Sequence, residues 1–164
     1  VKKYIIFILL IIGFIFLQSS SIYDNLSIRG VTPDFLLIVI SLAAFVLGPV
    51  SGQIIGFITG FVLDIIPPVG LLGVSAFTYT IVGYGVGVLG QKVYGNSILI
   101  TITFIFIVTL LKAAILSMLA AIFLEPGYFG YFAQGEIFLE AVMNSIITPI
   151  LFIPIIKIER EMIT

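Results

Sequence analysis

Asp34, Asp64, Lys112, Glu136 and Glu140 lie inside or at the ends of apolar runs. A charge at the middle of a bilayer costs at least about 2.5–3.5 kcal/mol, so such a group must face protein or water. Glu136, Glu140, Asn144 and Thr148 recur every four residues and therefore form one polar stripe along a helix. Lys112 sits near the middle of the longest apolar run, and its flexible stem can carry the ammonium several ångströms along the helix. Counting about 1.5 Å per residue places Lys112 about 18 Å, Glu140 about 6 Å and Asn144 about 12 Å below the same boundary. Asn144 is then the nearer expected partner of the ammonium and Glu140 the ionic one. A cluster of Lys112, Glu136, Glu140 and Asn144 could line an outward-facing pocket for a small ligand or ion. Internal salt bridging is the plainer reading.

Catalysis finds little material. The chain has no histidine and no cysteine, which removes the commonest general base, the thiol nucleophiles and the commonest metal ligands. A Ser-Lys dyad could be drawn from Lys112 with Ser117 or Ser145, but no nucleophile motif surrounds either serine. No glycine-rich loop with a following lysine offers a phosphate cradle. The expectation is a protein that is not an enzyme and takes no cofactor and no metal.

Small residues carry the second pattern. Gly52, Gly56, Gly60 and Asp64 fall four apart on one helix face. Glycines let two backbones approach closely where lipid supplies no hydrophobic drive between helices, so a tight seam is expected, leading to a membrane-buried acid. Gly83, Gly85, Gly87 and Gly90 suggest the other half of one internal seam.

The elements that must position these groups are membrane helices. Of 164 residues, 61% are hydrophobic and 9% charged, with a mean hydropathy of +1.35. Soluble domains carry about 25% charged residues, and fifteen charges could not cover a water-facing surface of this size. A net charge of −1 with no basic stripe argues against nucleic acid.

Six apolar segments are expected in a single transmembrane domain spanning 1–164, with helices at about 4–22, 34–47, 50–66, 71–90, 98–124 and 136–156. The first could instead be a signal peptide, with Lys2 and Lys3 before a short apolar centre, but a first helix running through the serines to Ile22 fits a membrane protein better. Phe35–Ile66 would span about 48 Å as one helix, too long for a core of about 30 Å, so Gly48-Pro49 is read as the turn of a hairpin rather than a kink. Pro67-Pro68, Gly90–Asn96 and Glu125-Pro126-Gly127 mark later breaks, the last followed by Tyr128, Phe129, Tyr131 and Phe132 as interface aromatics. Pro149 and Pro154 should bend the sixth segment. With six helices, one side holds both termini together with Lys2, Lys3, Lys92, Lys157 and Arg160, and the other holds Arg29. The lysine and arginine bias puts both ends in the cytoplasm.

Four features taken together carry a family resemblance. These are Thr32-Pro33-Asp34 opening a short apolar helix, Gly48-Pro49, the ladder Gly52, Gly56, Gly60 to Asp64, and Ala76-Phe77-Thr78-Tyr79-Thr80-Ile81-Val82-Gly83-Tyr84. The chain resembles the MreD family of bacterial rod shape-determining membrane proteins over nearly its whole length. The resemblance implies an all-α polytopic membrane bundle of six helices, similar to the S-components of energy-coupling-factor transporters. It implies a non-enzymatic role in the cell-elongation complex in the bacterial cytoplasmic (inner) membrane, supporting peptidoglycan synthesis and cell shape. An MreC-type single-pass membrane protein is the implied partner, with MreB filaments, RodA and a penicillin-binding transpeptidase reached indirectly. Pro33, Asp34, Gly52, Gly56, Gly60, Asp64, Gly83 and Gly87 are expected to serve packing. The fold kinship leaves an S-component-like subunit of a vitamin transporter as the rival.

Overall fold

The computed structural model describes residues 2–66, 72–90, 98–123 and 135–161. Among these, regular structure is helical, apart from one isolated bridge between Ile28 and Val31. The helices are α1 (Lys2–Gln18), α2 (Ser21–Asp24), α3 (Phe35–Leu47), α4 (Pro49–Ile65), α5 (Val74–Gly90), α6 (Ile98–Phe123) and α7 (Glu136–Glu161). The expected breaks at 67–70 and 91–96, Lys92, and the aromatic run 128–132 lie outside the described residues.

Two boundaries differ from the expected ones. The first helix stops at Gln18 instead of running to Ile22, and Ser21–Asp24 forms a separate turn. The serines cause the break. Ser19 Oγ donates to Ile15 O at 2.9 Å and Ser20 Oγ to Leu17 O at 2.7 Å, and Ser20 turns to an extended backbone. The last helix runs on to Glu161, past 156, with Pro149 and Pro154 inside it.

α3 is the centre of the molecule. Every residue from Leu36 to Phe45 is buried, so the helix is apolar all round, as a helix without a free face must be. It touches α1, α4, α5, α6 and α7. It ends at Gly48, whose φ of +92° is open to glycine at little cost, and whose N–H returns to Ala44 O at 3.0 Å. Pro49 then starts α4 at the first helical position, where its missing N–H leaves nothing unpaired. Fixed φ on one side and free φ on the other make the hairpin.

α6 and the Glu136–Ile155 part of α7 are long and apolar enough to cross a membrane. α1, α3, α4 and α5 are apolar but shorter. Large exposed apolar side chains stand on the outer faces of α1 (Leu9, Phe16), α4 (Val50, Ile58), α6 (Leu99) and α7 (Ile150).

Candidate functional site

The polar centre is built around the start of α3. Pro33 disfavours helix at the residue before it and so helps set where α3 can begin. Its carbonyl accepts from Tyr23 Oη at 2.8 Å, and the Tyr23 ring packs against Phe35. Asp34 caps the helix, with Oδ1 accepting from the Leu37 N–H at 2.9 Å. Its other oxygen, Oδ2, accepts from Tyr79 Oη on α5 and from Lys112 Nζ on α6, both at 2.6 Å. Lys112 Nζ also donates to Glu140 Oε1 on α7 at 2.8 Å. One ammonium thus lies between two buried carboxylates and joins three helices.

Asn144 completes the arrangement in an unexpected way. Its Oδ1 accepts from the Asp34 backbone N–H at 2.7 Å, and its Nδ2 donates to Thr109 Oγ1 at 3.1 Å. The expectation that Asn144 would take the ammonium is corrected, because Asp34 stands between them in the hydrogen-bond order. Asp34, assigned from sequence to packing, is the hub of the charged group. Glu136 is half-buried in the first turn of α7, one turn before Glu140. Thr148 Oγ1 donates to Asn144 O at 2.6 Å, and Ser145 Oγ to Ile102 O at 3.3 Å. Among the described residues every buried side-chain nitrogen and oxygen has a partner. A buried charge network of this kind is stable when fully satisfied and costly when one member is lost.

The glycines form a second structure, between α4 and α5. α4 and α5 run antiparallel and pack more extensively than any other pair of described helices. A Cβ on Gly56 would strike the Tyr79 carbonyl, one on Gly60 the Ser75 carbonyl, and one on Gly83 the Gly52 carbonyl. Gly87 lies against Pro49. Gly85 faces open space and is not part of the seam.

Asp64 lies at the end of this ladder, half-buried rather than deep. Its Oδ2 accepts from the N–H groups of Gly73 (2.9 Å) and Ala76 (3.0 Å), and its Oδ1 from that of Ser75 (3.1 Å). A carboxylate from α4 therefore satisfies the open N–H groups at the start of α5 and complements that helix's positive end. Asp64→Ala should destabilise the protein by about 1.5–3 kcal/mol, because it strands these donors. Equilibrium unfolding in mixed micelles measures it, and a cost below about 0.5 kcal/mol would mean that water replaces the carboxylate freely.

The geometry offers three things: an interior salt-bridge cluster that fixes four helices, a close-packed helical hairpin, and an apolar exterior. A surface groove of about 460 Å³ near the start of α5 and the end of α6 is lined by Leu72, Gly73, Val74, Phe77, Leu119 and Phe123, and suits acyl chains better than a polar solute. In comparison with known families, the one described as rod shape-determining protein MreD matches residues 1–159. No curated protein and no solved structure matches the chain.

Proposed function

Since the chain belongs to the MreD family of rod shape-determining membrane proteins, we propose that it is a non-enzymatic scaffold subunit of the bacterial cell-elongation complex. The family match over 1–159 carries this reading. In it, the chain binds an MreC-type single-pass protein, and through that partner connects MreB filaments to RodA and a penicillin-binding transpeptidase. The polar interior supports a scaffold role, because Lys112, Asp34, Tyr79 and Glu140 are engaged with one another and leave their hydrogen bonding spent inside the protein. The same fact weighs against a vitamin-binding transporter subunit, which would need those groups to face a solute. The packing roles of Pro33, Gly52, Gly56, Gly60, Gly83 and Gly87 belong to this proposal, with the hairpin as the rigid element of the scaffold.

The chain is read as a multi-pass protein of the cytoplasmic membrane, with one domain and both termini in the cytoplasm. At about 1.5 Å per residue, the 17 residues of α4 or α5 reach about 26 Å, close to a hydrocarbon core of about 30 Å. α3, at 13 residues, is enclosed by protein and has no lipid to match. A reporter enzyme active only outside the cytoplasm, fused to Thr164, is expected to give no signal. A strong signal would put the fused end outside the cytoplasm and overturn the topology.

Complementation tests the functional reading. In a rod-shaped host made spherical by removing its own copy, expression of this chain with its cognate MreC-type partner should restore rods. Spheres that persist while the protein accumulates normally in the membrane would contradict it.

A further inference from the structure

The lipid-facing surface is short in the direction in which a membrane must match it. Exposed apolar side chains extend from Tyr4 to Phe16 on α1 and from Val50 on α4 to Ile66 at its C-terminal cap. At about 1.5 Å per residue these bands are about 18 and 24 Å high, and any tilt of the helices reduces them. A typical hydrocarbon core is about 30 Å thick. On α4 the band is interrupted by Gln53, which is exposed one turn from the start of the helix. At the far end of the same helix stands Asp64, with its carboxylate held by the α5 backbone.

α6 and α7 are the exceptions, α6 with exposed apolar residues from Leu99 to Phe123 over about 36 Å and α7 long and apolar enough over Glu136–Ile155 to cross a membrane. The two kinds of mismatch are not equivalent. A long helix fits a thin bilayer by leaning or by emerging from it, whereas a short helix cannot lengthen to fit a thick one. The short helices therefore set the thickness. They are two helices, α1 and α4, so a single partner helix laid on one would leave the other facing lipid.

From this geometry we infer that the protein holds around itself a bilayer thinner than the average membrane, its lipid partner being acyl chains of about 14–16 carbons or longer chains locally compressed. The consequence is an annulus where the two headgroup layers approach each other by several ångströms. The inference rests on the multi-pass reading above and is independent of the protein partner.

The full chain, reconstituted in phosphatidylcholine vesicles with monounsaturated chains of about 14 to about 22 carbons, tests it. The thermal midpoint by circular dichroism should peak at about 14–16 carbons and fall steadily as the chains lengthen. Gln53→Leu, which extends the apolar band of α4 by a turn, should move the peak to longer chains. A peak at about 18 carbons or beyond in the unaltered protein overturns the inference. Because the chain has no cysteine, Gln53→Cys and Ile66→Cys can be labelled singly with an impermeant maleimide. Labelling from opposite faces of the vesicle is expected. Labelling of both from one face would overturn the inference by removing the span beneath it, a failure distinct from a peak at the wrong chain length.

Discussion

Replacing Lys112 by methionine should destabilise the protein by about 3–5 kcal/mol, the range found when one partner of a buried ion pair is removed. The loss arises from what remains. Asp34 and Glu140 lose the cation between them, and Tyr79 becomes the one remaining side chain that donates to Asp34 Oδ2. Two carboxylates then share a water-poor site, and one must take up a proton or the site must open. Glu140→Gln alone should be milder, because Lys112 keeps Asp34 as a one-to-one partner. The double variant should be more stable than the Lys112→Met protein, giving a coupling of about 1 kcal/mol or more in a double-mutant cycle. Unfolding in mixed micelles supplies all three values. A Lys112→Met protein as stable as the parent, with coupling near zero, would mean that the ammonium contributes nothing to the fold.

The glycine seam gives the other large effect, in the form of a contrast between two identical substitutions. Gly56→Ala should destabilise by about 1–3 kcal/mol, because the new methyl meets the Tyr79 carbonyl, a backbone atom that cannot rotate away. Gly85→Ala on the next helix meets nothing within 4 Å. There the gain in helix propensity over glycine, about 0.5–1 kcal/mol, should show as neutrality or slight stabilisation. The same chemistry at two helical glycines should thus give opposite signs. Equal effects at both sites would place Gly56 against lipid and remove the close-packed hairpin.

Local chemistry was legible and long-range partnership was not. Gly48-Pro49 could be read as a hairpin because the two residues impose their own backbone geometry. The four-residue spacing of Gly52, Gly56 and Gly60 could be read because it closes on one face of any α-helix. Proximity groups Gly85 with Gly83 and Gly87, yet two residues on a helix turn about 200°, which puts Gly85 on the opposite side. The extension of α1 through the serines follows from reading the segment as a membrane span, which does not register that serine hydroxyls compete for the carbonyls that end a helix.

The charged cluster was half legible. Depth along a helix could be counted, so Lys112, Glu140 and Asn144 were placed near one another. The count could not say that α3 begins near the middle of α6, which brings Asp34 to Lys112 across 78 positions of sequence. Once Asp34 occupies that place, its backbone N–H claims Asn144, and the amide is no longer available to the ammonium. Asp64 was unreadable for a similar reason. A carboxylate at the end of one helix capping the start of the next leaves no spacing signal when a proline-rich break separates them.

As a scaffold of the kind proposed, this chain would hold a single-pass membrane partner. Co-expression with its cognate MreC-type protein, followed by purification through a tag on this chain in mild detergent, tests that claim most directly. The account predicts that the partner stays bound in a fixed molar ratio through size exclusion, and that no vitamin-like solute accompanies the pair. Purification of this chain alone, folded and retaining a tightly bound small molecule, would contradict it.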